Sequence, residues 1–302
     1  MAASKKSFLN CIGHTPMLEV TKLSPNPAVR IFLKLEGFNA SGSVKDRPAL
    51  YMVRDAIASG RLKTGMTILD ATSGNYGIAL SMIGKCEGYP VTLVASRNIT
   101  EERKKLLHFY GTKIVYIDST YTKDSIECAR KLVEQDSFYC YLFQHGNPAN
   151  ARAHYETTGV EVIEQVPEID ALVCGLGSSG TLMGTGKRVR EHNERAKIVS
   201  VEPRVGSRIP GLRNLEAEGY SPPLFDPSFP DHRLQVLEKD ARAMIRTIAH
   251  KEGVFIGISA GAVLHAAVQV ASSIKSGNVV AVLADAGWKY MSVGICEDED
   301  AS

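Results

Sequence analysis

The chain has 302 residues, 44% of them hydrophobic and 23% charged, with a formal net charge of +2. That is enough apolar content for one large domain or two smaller ones, and the absence of a long basic run argues against a nucleic-acid role. The opening residues lack the apolar core of a signal peptide and no stretch is long enough to span a bilayer, so no membrane association is expected.

The six cysteines (Cys11, Cys86, Cys128, Cys140, Cys174, Cys296) are scattered and form no CxxC pair. They read as structural thiols in a reducing, cytoplasmic compartment. The eight histidines have no metal-ligand spacing, so no metal site is expected. The acidic run at 297–300 reads as a solvated tail.

In chain order, strands are predicted at 29–35, 66–71, 91–95, 113–118, 138–143, 171–174, 198–201, 254–258 and 279–283. Each is a short β-rich run. Between them lie amphipathic segments. Residues 48–59 carry Leu50, Val53, Ala56 and Ile57 at helical spacing. Residues 100–110 form a charged helix with Thr100 as its cap and Glu101 and Glu102 in the first turn. A third helix is predicted at 179–191 after a Gly-rich turn, and a fourth at 260–272 with Ser259 as its cap.

Alternation of β and α units implies an α/β fold with mostly parallel sheets covered by helices. Strands on both sides of a polar crossover at 144–150 suggest two α/β lobes with a cleft between them. Ligands in such folds sit at the C-terminal ends of the strands. The stretch 204–230 is rich in Gly, Pro and Ser and is too long for an ordinary connection, so it reads as a functional loop.

Three stretches carry chemistry. ATSGNYGIAL at 71–80 runs from a strand through small residues into a helix, the arrangement that invites an anion. CGLGSSGTLMGTG at 174–186 follows a strand and opens a helix, and its glycines and hydroxyls suit phosphate oxygens. It lacks a P-loop lysine, and its GxGxxG leaves a dinucleotide and a phosphorylated cofactor both open. ASGSVKDRPA at 40–49 places Lys45 just before a helix start, with Pro48 in the first turn. A cation there is unfavourable as a mere surface charge, but makes sense in a Schiff base or beside a phosphate.

SGSVKDRP (41–48), TSGN (72–75), GLGSSGT (175–181) and GISAG (257–261), in that order, resemble the cysteine synthase family of fold-type II pyridoxal-phosphate enzymes. The resemblance runs from IGHTPML at 12–18 to ADAGWKY at 284–290. QHGNPAN (144–150), GTLMGTGKRVREH (180–192), GLRN (211–214) and DAGWKYMSVG (285–294) are most similar to the O-phosphoserine sulfhydrylase branch, of the actinobacterial kind that takes sulfur from a thiocarboxylated carrier protein.

The resemblance implies a two-lobed enzyme with the cofactor in the cleft. Residues 40–147 would form a smaller mobile lobe, and 1–39 with 148–302 a larger one. It implies that Lys45 holds pyridoxal 5'-phosphate as a Schiff base and, once freed, moves the Cα proton. Asn75 would bond the cofactor's ring hydroxyl. Gly177, Ser178, Ser179, Gly180 and Thr181 would cup its phosphate, and Ser259 would face its pyridine nitrogen. A neutral hydroxyl there leaves a weaker electron sink, suited to β-elimination.

Thr72, Ser73 and Gln144 match groups that bind the substrate carboxylate. Arg213 matches the arginine that contacts the substrate phosphate in the phosphoserine branch, with Arg204 and, less directly, Arg208 in the same loop. A guanidinium fork suits phosphate better than an acetyl ester.

Tyr76 stands where the family commonly has Thr. It either adds bulk beside the substrate carboxylate or packs under the helix start. The longer C-terminal tail of some phosphoserine relatives has no counterpart after Gly294, so gating by such a tail is not expected. The family further implies a homodimer, an amino-acid substrate and, in this branch, a sulfur-carrier partner. An O-acetylserine-dependent cysteine synthase and a diaminopropionate-type synthase using a nitrogen nucleophile are the alternatives.

Overall fold

The computed structural model describes residues 7–72 and 74–295. Its strands are β1 (Met17–Val20), β2 (Val29–Leu35), β3 (Thr67–Ala71), β4 (Val91–Ser96), β5 (Lys113–Ile117), β6 (Tyr139–Tyr141), β7 (Ala171–Gly175), β8 (Lys197–Pro203), β9 (His232–Val236) and β10 (Gly277–Leu283). Its α-helices are α1 (Asp46–Ala58), α2 (Asn75–Glu87), α3 (Glu101–Phe109), α4 (Thr122–Gln135), α5 (Pro148–Ala153), α6 (Gly159–Gln165), α7 (Gly180–His192), α8 (Leu215–Glu218), α9 (Glu238–Glu252) and α10 (Ile258–Ser273).

The strands form a six-stranded sheet in the order β1-β2-β10-β7-β8-β9 and a four-stranded sheet in the order β5-β4-β3-β6. Every pairing is parallel except β1 with β2. Such sheets are covered on both faces, and the strands show it: all of β4 is buried.

Alternate residues of β10 serve opposite faces. Val279 and Ala281 pack with α9 and α10, while Val280 and Val282 pack with Val162 of α6 and Leu182 and Val189 of α7. In the smaller sheet, Ile68 and Leu93 face α1 and α2, and Leu69 and Val94 face Ile126 and Ala129 of α4. Among the described residues, no helix is long and apolar enough to cross a bilayer.

Several sequence-based expectations are corrected. Residues 254–258 are not a strand: Ile256 makes a single bridge to Ala286, and α10 already begins at Ile258. A short apolar run between two helices carries no period that separates strand from helix start. β1 and β9 were not predicted because they are half-exposed edge strands with no continuous apolar signal. Thr100 takes the N-cap position of α3 without a side-chain capping bond. The N-cap of α10 is Gly257, so Ser259 lies inside the first turn and its hydroxyl does not cap.

A buried ionic cluster ties α1 to the larger sheet. Arg47 Nε donates to Glu36 Oε2 at 2.7 Å and its Nη1 to Glu161 Oε1 at 2.6 Å. Lys34 Nζ meets Glu161 Oε2 at 2.7 Å. Glu36 follows β2 and Glu161 belongs to α6. The guanidinium therefore fixes the start of α1, two residues beyond Lys45, against two separate elements. Each charge is matched and hydrogen-bonded, the condition for burying it.

Candidate active site

The loops that follow β3, β7 and β10 converge at the C-terminal ends of the two sheets, where α/β folds bind ligands. After β7 the chain makes a glycine turn into α7. Ser179 has φ +68°, a left-handed conformation uncommon outside glycine. A Cβ on Gly177 would lie 2.5 Å from Gly211 O, and one on Gly180 only 1.9 Å from Asn150 Oδ1. These positions admit no side chain, so the backbone itself forms the cup at the N-terminus of α7.

The hydroxyls of the cup are held from behind. Asn150 Nδ2 donates to Ser178 Oγ at 3.1 Å and to Gln144 O at 2.7 Å. Thr181 Oγ1 meets His154 Nε2 at 3.2 Å, while His154 Nδ1 meets Thr158 Oγ1 at 2.9 Å. Burial drives the His154 pKa well below its usual value, so the ring is a neutral hydrogen-bonding strut.

Lys45 occupies the N-cap position of α1. Burial pushes its pKa down to about 8, against the opposing pull of the Asp285 carboxylate. An amine so placed gives up its proton more readily than a surface lysine. Asn75 opens α2, and its Nδ2 donates to Asp285 Oδ2 at 2.6 Å. Lys289 Nζ donates to Asn75 Oδ1 at 3.2 Å, and Tyr290 Oη to Asp285 Oδ2 at 2.6 Å. Lys289 is fully buried, and burial lowers its pKa to about 8.

Lys45, Asn75, Gly177, Ser178, Ser179, Thr181 and Ser259 line one narrow cleft. Gly211, at φ +91°, faces Ser259, whose Oγ would lie 3.8 Å from a Cβ placed there.

The residues matched to substrate divide. Thr72 Oγ1 accepts from Gly74 N at 3.2 Å, and Gln144 Nε2 donates to Ala71 O at 3.3 Å, so both stand at the end of β3. Ser73 lies outside the described residues. Arg213 is 7% exposed, with Nε donating to Gly177 O at 3.0 Å and Nη1 to Glu218 Oε2 at 3.0 Å. Burial lowers its pKa, opposed by Glu218 and Tyr220.

Arg204 and Arg208 are both exposed; Arg204 directly follows the last residue of β8, and the charge of Arg208 acts on Glu218, the carboxylate bonded to Arg213. Tyr76 turns away from the cleft. It is 2% exposed, packs in the core between α1 and the smaller sheet, and bonds the Asp70 carboxylate.

Sequence reasoning assigned no role to Asn150, His154, Asp285 or Lys289. The first and last two lie inside quoted motifs, QHGNPAN and DAGWKY, but nothing in those strings says which atoms they hold. Elsewhere, a hollow lined by Leu9, Ile12, His14, Arg47 and Leu50 carries no convergent reactive group, since its Arg47 is committed to Glu36 and Glu161. Among the described residues no cluster of His, Cys, Asp or Glu is able to hold a metal.

The cleft fits a phosphorylated aldehyde cofactor. It combines a side-chain-free anion cup, an amine of lowered pKa and a buried Asn150 Oδ1 that lacks a partner where the cup begins. The chain belongs to the pyridoxal-phosphate dependent enzymes, whose family model matches residues 8–285. Within that class it is a fold-type II member of the cysteine synthase family.

It is 39% identical to the cysteine synthase of Aquifex aeolicus, over 98% of this chain and 94% of that one. It is 37% identical to cysteine synthase B of Salmonella typhimurium, over 96% of each. Among solved structures, O-ureido-L-serine synthase superposes with a TM-score of 0.90 at 34% identity, over 98% of this chain and 96% of that one. Cysteine synthase from Entamoeba histolytica gives 0.90 at 30% identity, over 100% and 95%.

Proposed function

We propose that the protein catalyses a pyridoxal-phosphate dependent β-replacement on O-phosphoserine, forming L-cysteine or a close β-substituted alanine. The sulfur donor is sulfide or the thiocarboxylate of a carrier protein. The β-replacement itself follows from the family. The phosphate leaving group rests on Arg213, a buried guanidinium bonded to the carbonyl of Gly177 in the anion cup. Its Nη2 carries no bond among the described residues. A buried cation with donors to spare favours a dianionic phosphate over an acetyl ester.

Bound in the cleft, pyridoxal phosphate supplies the electron sink for the Cα carbanion. The chain's own groups do the rest. Gly177, Ser178, Ser179, Gly180 and Thr181 hold the cofactor phosphate at the N-terminus of α7. Asn75 would hold the ring hydroxyl of the cofactor, and Ser259 would face its pyridine nitrogen with a neutral hydroxyl that fixes no charge on it.

Lys45 binds the cofactor and then, as a free amine, takes the Cα proton and later returns it. Its burial suits that exchange near neutral pH. Thr72 and Gln144, at the end of β3, grip the substrate carboxylate together with Ser73. Residues 40–147 act as the smaller, mobile lobe over 1–39 and 148–302, excluding water from the cleft. The enzyme works in the cytoplasm as a homodimer.

A second reading takes another nucleophile in place of sulfur. The likeness to O-ureido-L-serine synthase favours it, because that product is not a thiol. Assays of the holoenzyme with sulfide, a carrier thiocarboxylate and amine nucleophiles separate the two.

The leaving group is tested by Arg213→Ala. One charge-assisted contact contributes about 1.5–3 kcal/mol, so kcat/KM for O-phosphoserine falls about ten- to a hundredfold. The loss with O-acetylserine is much smaller. Equal losses for the two substrates would sink the phosphate assignment.

A further inference from the structure

The polar crossover and the long loop after β8 meet beside Arg213. His145 is 4% exposed, and the charges of Arg213 and Lys45 both act on its ring. Its ring centroid lies 5.7 Å from that of Tyr220, in an edge-to-face contact. The Arg213 guanidinium lies 5.2 Å from the same Tyr220 ring. Leu224 N donates to His145 O at 3.3 Å, which pins the crossover to the long loop. Two polar atoms in this small space are buried and have no partner among the described residues: His145 Nδ1 and Tyr220 Oη.

The turn that presents His145 is built at a cost. Phe143 has φ +53°, which side-chain-bearing residues rarely adopt. Gly146 is required beside it, because a Cβ there would lie 2.4 Å from Phe143 Cε1. The Phe143 ring lies 6.5 Å from the His145 ring, tilted by 37°. The imidazole is thus fixed by packing and not by hydrogen bonds. Burying an unpartnered donor costs about 1–3 kcal/mol, so a pair of them next to a buried arginine calls for a ligand.

We propose that His145 and Tyr220 complete, with Arg213, the subsite for the leaving group of the substrate, a phosphate monoester, by donating Nδ1–H and Oη–H to its oxygens. The proposal rests on the phosphate reading of Arg213. Three donors, two from the long loop and one from the crossover, suit a group with three terminal oxygens, and exceed what one acetyl carbonyl accepts.

Both added donors are neutral. Burial drives the His145 pKa down to about 3, with Arg213 and Lys45 adding to the effect, and burial raises that of the Tyr220 hydroxyl. The subsite therefore adds hydrogen bonds without adding charge, and released phosphate is held by Arg213 as the sole cation of the three. His145 and Tyr220 are specificity-determining groups in this account, and Phe143 and Gly146 position the first of them.

The test uses holoenzyme carrying His145→Phe, His145→Asn, Tyr220→Phe or Arg213→Ala. It reads kcat/KM for O-phosphoserine and O-acetylserine and competitive inhibition by inorganic phosphate. Cofactor absorbance and the melting temperature check that each variant is folded. Loss of one neutral donor lowers the ratio of the two kcat/KM values about five- to twentyfold in His145→Phe and Tyr220→Phe. It weakens phosphate inhibition in parallel.

His145→Asn, whose amide keeps a donor close to the position of Nδ1, recovers part of the ratio. A selective loss in Arg213→Ala with flat ratios in the His145 and Tyr220 variants overturns the subsite and leaves the phosphate reading standing. Flat ratios in all four variants overturn both. Equal losses for the two substrates in the His145 and Tyr220 variants, with phosphate inhibition unchanged, reduce these residues to packing and also overturn the subsite.

Discussion

Asn75 and Asp285 lie 210 positions apart in the chain and share a hydrogen bond of 2.6 Å from the amide nitrogen to Oδ2. Lys289 Nζ holds the other end of the amide at 3.2 Å, so its orientation is set from both sides. Asp285 links the two sheets: it lies two residues past Leu283, the last residue of β10, and Asn75 opens the helix after β3. The same carboxylate acts on Lys45. One side chain thereby positions two groups proposed to touch the cofactor.

Asp285→Ala releases the Asn75 amide and leaves buried Lys289 with less compensation. The expected outcome is a loss of about ten- to thirtyfold in affinity for pyridoxal phosphate, the scale of one hydrogen bond to a charged group. Absorbance titration of the apoenzyme measures it directly. Asp285→Asn keeps an acceptor oxygen and loses less. Unchanged affinity in Asp285→Ala would show that the amide needs no such support.

Tyr76 offers a second test, because its burial makes a core role rather than a substrate role the expected one. Its hydroxyl donates to Asp70, whose pKa burial raises to about 7 in spite of bonds from Ala71, Tyr76 and Gln144. The folded-state value lies above the ordinary 3.8, so ionising Asp70 costs stability as pH rises from about 4 to about 7. Removing the hydroxyl in Tyr76→Phe raises it further. The variant should lose about 1–3 kcal/mol at pH 8 and less at pH 5, measured by urea unfolding. A shift in the O-phosphoserine to O-acetylserine ratio at unchanged stability would return Tyr76 to the substrate.

The ionic cluster behind Lys45 makes stability acid-sensitive. Burial raises the Glu161 pKa, but bonds and charge from Arg47 and Lys34 outweigh it and bring the value down to about 2. Its ordinary value is 4.5, so the contribution is complete above that pH and disappears as pH falls from there to about 2. Glu161→Gln flattens this acid limb. At pH 7 it costs about 3–5 kcal/mol, because Arg47 and Lys34 are left buried with one carboxylate fewer. A steep acid limb that persists in the variant would place the sensitivity elsewhere.

The parallel strands were legible because burial on both faces writes them as unbroken apolar runs, as in β4. β1 and β9 were not, since an edge strand exposes one face and one rim. The glycine cup and Lys45 were legible for a similar reason: a backbone anion site requires glycines at consecutive turns, and a lysine before a helix start stands out.

The support of those groups was hidden. Asn150 reaches Ser178, His154 reaches Thr181, and Asp285 reaches Asn75, each across a gap that no local pattern records. Tyr76 illustrates the converse. Its place in the motif pointed to the substrate, but the helix turns its side chain to the inner face, where Asp70 and Met52 receive it.

The most direct test of the phosphate assignment is the first half-reaction of the wild-type holoenzyme. Rapid mixing with O-phosphoserine or O-acetylserine, with no nucleophile present, reports leaving-group loss through the absorbance of the bound cofactor. The expected second-order rate constant is about ten- to a hundredfold higher for O-phosphoserine, the contribution of a charge-assisted contact to Arg213. An equal or higher rate constant for O-acetylserine would contradict it.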